Sequence, residues 1–171
     1  MTINKLNSIV VRAIGAAAIF LISIAARADD NKAELMAPIN AFAEAFNALR
    51  PDLPAGIFAA DATVVDEFQP YLWRGDREIH DWYGRLVGTT PETREKQKAL
   101  NAHYSVGQPT FVEVHADRAY VVVPGKLTYR VANEDHEQLG AAVFQEIRVD
   151  GKWLIAAHAW AITVPETHVS H

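Results

Sequence analysis

The sequence predicts an α+β fold, in which a curved antiparallel sheet (a cone-shaped partial barrel) wraps around N-terminal helices and encloses a central pocket. Three observations lead to this prediction. Apolar residues recur at helical spacing in the first half of the chain, and β-branched and aromatic residues dominate from Ala102 onward. Pro124-Gly125 interrupts the longest predicted strand and should bend the sheet. Helices followed by a bent meander are typical of an α+β domain with a cavity.

The first 28 residues are predicted to be a signal peptide. Lys5 and Arg12 supply a positive region, and Ala13–Ala26 form an apolar run too short to span a bilayer comfortably. Ala26-Arg27-Ala28 then offers a cleavage site. An uncleaved membrane anchor is the alternative. We therefore expect one mature domain over residues 29–171, in the periplasm or the medium, with no membrane association after cleavage.

The composition excludes several classes of function. The chain carries a net charge of −5, and the predicted signal peptide holds basic but no acidic residues, so the mature domain is more acidic still. An acidic surface without basic runs argues against nucleic acid as a partner. The chain contains no cysteine, which rules out thiolate catalysis, thiolate metal sites, disulfides and a lipoprotein anchor.

Helical periodicity is clear in the first half of the mature chain. A helix is predicted over Lys32–Leu49, with Pro38 either kinking it or lying in its first turn. Asp52 should cap a second, short helix that ends near Ala59. A third helix is predicted over Arg77–Val87 with Asp76 as its N-cap, and a polar fourth one runs from Thr90-Pro91 to Leu100.

Five strands are predicted in the second half. The Pro124-Gly125 step is expected to form a β-bulge in the third of them. The turns at Ala116-Asp117-Arg118 and Asp150-Gly151 should close hairpins, the latter as a type I′ turn. The predicted strands are Ala102–Val106, Thr110–His115, Ala119–Val131, Gly140–Val149 and Lys152–Val164.

The stretch Phe58–Gly75 contains the feature that most needs a chemical explanation. It is predicted to form a strand, a proline turn, a short strand and a helix start, and strand alternation places Asp66 on one face with Val64 and Phe68. Burial disfavours the charged form of a carboxyl without a cationic partner, which suits a general acid or base. Alternatively, Asp66 only accepts backbone hydrogen bonds and shapes the turn.

The order helix, short helix, Phe58…Asp61-Ala62-Thr63-Val64-Val65-Asp66, Trp73-Arg74-Gly75 and meander resembles the nuclear transport factor 2-like superfamily. That superfamily includes ketosteroid isomerase and the SnoaL-like polyketide cyclases. The resemblance covers about Lys32 to Val164 and implies the cone-shaped fold more firmly than any one activity.

The resemblance also implies site residues. The general-base aspartate of the isomerase falls on Asp66, and its oxyanion-stabilising tyrosine falls on Phe42, which has no hydroxyl. Its second oxyanion donor falls near Gln145, whose amide could still donate a hydrogen bond. Because losing one such donor typically costs about 10²–10³ in rate, steroid isomerisation is not expected.

Further pocket residues follow from the pattern of the last strand. Strict alternation places Leu154, Ala156, His158, Trp160 and Ile162 on one face, and Trp153 with Ile155 on the other. His158 is then a candidate proton partner for Asp66, or a histidine bonded within a mixed core. The candidate catalytic residues are Asp66, His158 and Gln145, and the candidate ligand-binding residues are Phe42, Phe46, Phe68, Trp73, Trp82, Tyr83 and Trp160.

Two classes of function remain. One is an exported protein that binds a small apolar or amphipathic molecule, and the other is an acid–base enzyme of the isomerase, cyclase or hydratase type with Asp66 as base. No metal-ligand, P-loop or dinucleotide motif is present, so neither a metal nor a cofactor is expected. A homodimer through the outer face of the sheet is expected from the habit of the superfamily.

Overall fold

The computed structural model describes the backbone of residues 31–164 and 167–169, and the side chains of residues 31–164. The predicted signal peptide therefore lies outside the described residues. By internal contacts the chain divides into two units, Met1–Glu34 and Leu35–His171, and the fold and site below belong to the second. No helix in the described ranges is both long and apolar enough to cross a bilayer.

Three helices are described. Helix α1 covers residues 31–47, α2 covers Gly75–Val87 and α3 covers Pro91–Leu100. Pro38 lies within α1, beyond the first described turn. The N-cap of α3 is Thr90, whose side chain accepts a hydrogen bond from the Thr93 amide, as the sequence predicts.

Two expectations about the helices were wrong. Residues 51–57 form turns and bends instead of a short helix, because two prolines and Gly56, at φ +80°, leave no run long enough to nucleate one. Asp76 is not the N-cap of α2. The helix begins at Gly75, and the Glu78 carboxylate reaches back to the Arg74 amide at 2.8 Å.

The sheet has eight described strands and is mixed rather than wholly antiparallel. Its order is β2-β1-β7-β6-β5-β3, with β4 also paired to β5 and β8 to β6. Among the described strands every pairing is antiparallel except that of β1 with β7, which the sequence did not predict. The strands are β1 (Phe58–Val65), β2 (Leu72–Arg74), β3 (His103–Val106), β4 (Phe111–His115), β5 (Arg118–Val131), β6 (Glu134–Val149), β7 (Lys152–Ile162) and β8 (Thr167–Val169).

The predicted bulge at Pro124-Gly125 is absent, because β5 pairs with β6 in continuous register through both residues. The carbonyl of Pro124 accepts a hydrogen bond from Gly107 at 2.8 Å, on the side away from β6. Its nitrogen faces the same side, in the gap between the end of β3 at Val106 and the start of β4 at Phe111. The missing N–H of the proline therefore interrupts no ladder.

A register shift lies instead between β6 and β7. Gln145 pairs with Ala157 whereas Glu146 pairs with Ile155, so Ala156 is an extra residue in β7. This shift overturns the predicted strict alternation, because Ile155 and His158 are both buried and both face the helices. The β-bulge thus changes which residues of the last strand point inward.

Two tight turns connect the long strands, one between β5 and β6 and the other between β6 and β7. Asp150 and Gly151 both have positive φ, as a type I′ turn requires. Ala132 and Asn133 do too, and this unpredicted turn starts β6 at Glu134 instead of Gly140.

The inner face of the sheet packs on α1 and α2 through one cluster that includes Ile39, and the α+β prediction is confirmed.

Candidate functional site

A cavity of about 150 Å³ lies between the helices and the inner face of the sheet. Helices α1 and α2 contribute residues to one side, and strands β3, β5, β6 and β7 contribute to the other, with the end of β1 between them. Most of the lining residues are aromatic or aliphatic. They are Phe42, Phe46, Asp66, Glu67, Phe68, Trp82, Leu86, Tyr104, Leu127, Gln138, His158 and Trp160.

Asp66 follows the last residue of β1 and brings a carboxylate to this apolar wall. Its Oδ2 accepts a hydrogen bond from the Trp82 indole at 2.7 Å, and its Oδ1 accepts one from the Glu67 amide at 2.7 Å. The Asp66 amide donates to the carbonyl of Tyr71, which fixes the chain around the turn. The side chain is half-buried and has no ion-pair partner among the described residues.

His158 is buried on the wall formed by β7. Its ring stacks on Phe144 with centroids 4.6 Å apart and an angle of 12° between the planes. Desolvation lowers the pKa of His158 to about 4, while a hydrogen bond to the backbone of Val143 acts in the opposite direction. The imidazole is therefore neutral at pH 7, with one nitrogen that carries a proton and one that can accept one.

Trp82 contacts both polar groups. Besides its bond to Asp66, its ring lies edge-on to His158 with centroids 6.0 Å apart and stacks on Phe42 at 5.4 Å. No hydrogen bond joins Asp66 to His158 in the described part of the chain. The two residues that the sequence singled out thus share one cavity without forming a dyad.

Tyr104 lies on β3 and closes another side of the cavity. Its backbone is held by Asn47 of α1, whose side chain accepts from the Tyr104 amide at 2.7 Å and donates to its carbonyl at 2.8 Å. The phenol hydroxyl is buried and has no partner among the described residues. Burial, and secondarily the charge of Asp66, raise the pKa of Tyr104 well above its usual value, so the hydroxyl keeps its proton.

Trp160 on β7 completes the aromatic lining. Its ring meets Tyr104 edge-on at 5.8 Å, and its indole donates to the side chain of Gln138 at 3.3 Å. The ring lies directly over two glycines: a Cβ added at Gly125 would come within 2.6 Å of it, and one added at Gly140 within 2.4 Å. Both glycines are therefore needed to seat Trp160 against the sheet.

The structure brings together most of the residues singled out in the sequence. Phe42, Phe46, Phe68, Trp82 and Trp160 line the cavity together with Asp66 and His158, and their functional roles stay predictions.

Three of the singled-out residues lie elsewhere. Trp73 is buried outside the lining, against Phe68 and beneath the Arg85 guanidinium. Tyr83 follows Trp82 on α2 and faces a separate groove between α2 and α3. Gln145 is exposed, because its neighbours on β6 point inward, so its position does not support a role in the cavity.

Three polar lining residues were missed: Glu67, Tyr104 and Gln138. Strand alternation placed Glu67 on the face opposite Asp66, but β1 ends at Val65. Tyr104 belongs to a predicted strand of five residues whose inward face the sequence does not reveal, and Gln138 was left outside the predicted β6. Among the described residues, no group of three or more His, Asp or Glu side chains could hold a metal ion.

An outer cleft of about 300 Å³ shares several lining residues with the cavity, including Phe46, Phe68 and Leu127. Arg85 lines this outer cleft but not the cavity. Its guanidinium lies 4.7 Å above the Trp73 ring and donates to the carbonyl of Gln69 at 3.0 Å. The guanidinium of Arg85 is thus engaged by Trp73 and by the backbone of Gln69.

The architecture is that of the nuclear transport factor 2-like fold, which confirms the fold that the resemblance in the sequence implies. A nuclear transport factor 2-like protein with a cystatin-like fold from Novosphingobium aromaticivorans superposes with a TM-score of 0.65 at 12% identity, over 84% of this chain and 89% of its own.

Two further solved structures are similar. A nuclear transport factor 2-like superfamily protein from Salmonella enterica serovar Typhimurium gives a TM-score of 0.63 at 14% identity, over 80% of this chain and 94% of its own. A type 2 hexachlorocyclohexane dehydrochlorinase gives 0.63 at 12% identity, over 88% and 93%. No family model and no curated protein matches the sequence. At these identities the likeness establishes the fold alone.

Proposed function

We propose that this chain is an exported protein that binds a small, mostly apolar ligand in the cavity around Asp66. The observation that carries the proposal is a carboxylate held by the Trp82 indole in a wall that is otherwise largely aromatic. A cavity lined by apolar side chains with a few fixed polar groups is the usual form of a small-molecule site. Export is supported by the signal-peptide pattern of residues 1–28.

The cavity volume sets the size of the ligand. At about 150 Å³ it is comparable to an apolar protein cavity of about 150 Å³ that holds one benzene ring. A ligand the size of a single ring would fit the inner cavity. Anything longer would extend into the outer cleft beside Leu127.

The alternative is a cofactor-independent acid–base enzyme with Asp66 as general base. It is favoured by the neutral imidazole of His158 in the same cavity, since a carboxylate and a neutral histidine are common proton-transfer groups. One structure with this fold is described as a dehydrochlorinase. Against it, Phe42 has no hydroxyl and Gln145 points away, so neither of the two donors that the resemblance implies is present.

Native mass spectrometry tests the proposal on protein purified from its own host. We expect a small molecule to co-purify with the unaltered chain and to be released when the protein is denatured. Asp66→Asn then separates the two functions: a binder shows a change in affinity only, whereas an enzyme keeps its fold and loses turnover. A protein that carries no small molecule and binds none would contradict the proposal.

We also propose that two copies associate through the outer face of the sheet. Apolar side chains are exposed on this face in the described structure, among them Phe111 of β4 and Tyr120 of β5, whose rings contact each other. Light scattering at micromolar concentration should report a dimer, and a monomer would remove this proposal without affecting the cavity.

A further inference from the structure

Building on the proposed binding function, we infer that the ligand of the cavity carries a positive charge, as an organic ammonium group placed between Asp66 and the surrounding aromatic rings. Neither the fold nor the solved structures of similar fold indicate this chemical class. Three features of the cavity support it: the sign of its charge, the fixed position of the carboxylate and the aromatic character of the walls.

The charge of the described lining is negative. Asp66 has no ion-pair partner in the part of the chain that the structure describes, and no lysine or arginine is among the residues that line the cavity. His158 supplies no compensating charge, because burial keeps its ring neutral at pH 7. Arg85, in the outer cleft, is directed at Trp73 and the Gln69 carbonyl. No positive charge among the described lining residues therefore offsets the negative charge that a cationic ligand would meet.

The carboxylate is fixed in position. One oxygen accepts a hydrogen bond from the Trp82 indole and the other accepts one from the Glu67 amide, each at 2.7 Å. Each carboxylate oxygen has two lone pairs, so Asp66 can still face a ligand without losing either bond. Trp82 is in turn stacked on Phe42 and packed against His158. The charge is thus presented by a rigid support and needs no rearrangement to meet a ligand.

The walls suit an alkylated ammonium group. Rings of Phe, Tyr and Trp attract cations through their negative faces, and such cages are used to recognise quaternary ammonium ligands. Here Phe42, Phe46, Tyr104 and Trp160 form one contiguous set with centroids between 5.8 and 6.3 Å apart, and Trp82 adjoins Phe42. An anionic ligand would be repelled by Asp66, whereas a neutral one would leave its charge unpaired.

The experiment compares two probes of the same shape. Choline and 3,3-dimethylbutan-1-ol differ in the replacement of the ammonium nitrogen by carbon, so only the charge changes. We expect isothermal titration of the full-length mature chain at pH 7 to give at least tenfold tighter binding of choline. Binding of choline should also weaken as salt is raised, while that of the alcohol should not.

A matched pair of variants locates the effect. Asp66→Asn should lower choline affinity at least tenfold and leave the alcohol unchanged. Asp61→Asn removes the same charge from an exposed position of β1 and should change neither. If Asp66→Asn fails to fold, the comparison of choline with the alcohol on the unaltered protein still shows whether the cavity prefers a cation.

Three results would show that the ligand is not cationic. Equal or tighter binding of the alcohol, failure of choline to bind, or a choline affinity indifferent to Asp66→Asn in a folded variant would overturn the inference of a cationic ligand. Binding of the alcohol alone would still support a neutral-ligand cavity, so this inference can fail while the proposed function stands.

Discussion

Replacing Glu146 with glutamine should make the stability of this protein much less dependent on pH. Glu146 lies on the inner face of β6 opposite Ile155 and has no exposed surface. Neither of its carboxyl oxygens has a hydrogen-bond partner among the described residues. Desolvation raises the pKa of Glu146 from 4.5 to about 8, so the folded protein holds this carboxyl in its neutral form at pH 7.

The size of the effect follows from proton linkage. Below pH 4.5 the folded and unfolded chains are both protonated at this group, and it adds no pH dependence. Between pH 4.5 and about 8 only the unfolded chain releases the proton, so the free energy of unfolding falls as the pH rises, by about 1.4 kcal/mol per pH unit. Across the window the loss is on the order of 5 kcal/mol, and above it this group changes the stability no further.

Urea denaturation followed by tryptophan fluorescence at several pH values between 5 and 9 measures this loss. Glu146→Gln keeps the size of the side chain and cannot ionise, so its advantage over the unaltered protein should grow steadily up to about pH 8. Glu44→Gln, at an exposed position of α1, is the control and should leave the pH profile unchanged. A difference between Glu146→Gln and the unaltered protein that stays constant across this range would refute the reasoning.

Three further predictions concern stability and can be measured by thermal denaturation. Gly125→Ala should cost about 1–3 kcal/mol, because its Cβ would overlap Trp160, and Trp160→Phe should recover part of the loss; equal cost in both backgrounds would contradict this. Asn47→Ala should cost about 2–3 kcal/mol, since it leaves the amide and carbonyl of Tyr104 unpaired; a loss within 0.5 kcal/mol, about that of an ordinary surface change, would argue against the clamp. Thr90→Ala removes the N-cap of α3 and should cost about 1 kcal/mol of stability. Thr90→Ser keeps a hydroxyl that can cap the helix and should lose only a small part of that stability.

Local signals in the sequence were sufficient for much of the fold. The apolar stripe of α1, the Thr90-Pro91 start of α3 and the Asp150-Gly151 turn each depend on neighbouring residues alone. The parallel pairing of β1 with β7 joins residues far apart in the chain, and no local pattern specifies it. The polar start of β6 was missed because its composition resembles that of a loop, although Ala132 and Asn133 form a tight turn there.

The site was predicted in part for the same reason. An aspartate that alternates with valine and phenylalanine is visible in sequence, although β1 ends at Val65, and so is a histidine two residues before a tryptophan. The extra residue at Ala156 is invisible to strict alternation, which put Trp153 and Ile155 on the opposite face from His158. Tyr104 could not be found, because its contribution depends on how β3 pairs with β5.

Binding of a ligand in the cavity around Asp66 can be tested directly with the four tryptophans of the chain. Trp82 and Trp160 line the cavity, whereas Trp73 and Trp153 are buried outside its lining. In ¹⁵N-labelled protein titrated with benzyl alcohol, a neutral ligand of one ring, we predict saturable shifts of the indole signals of Trp82 and Trp160, with those of Trp73 and Trp153 unmoved. Saturable shifts confined to Trp73 and Trp153, or none at any indole up to the solubility limit, would contradict the account.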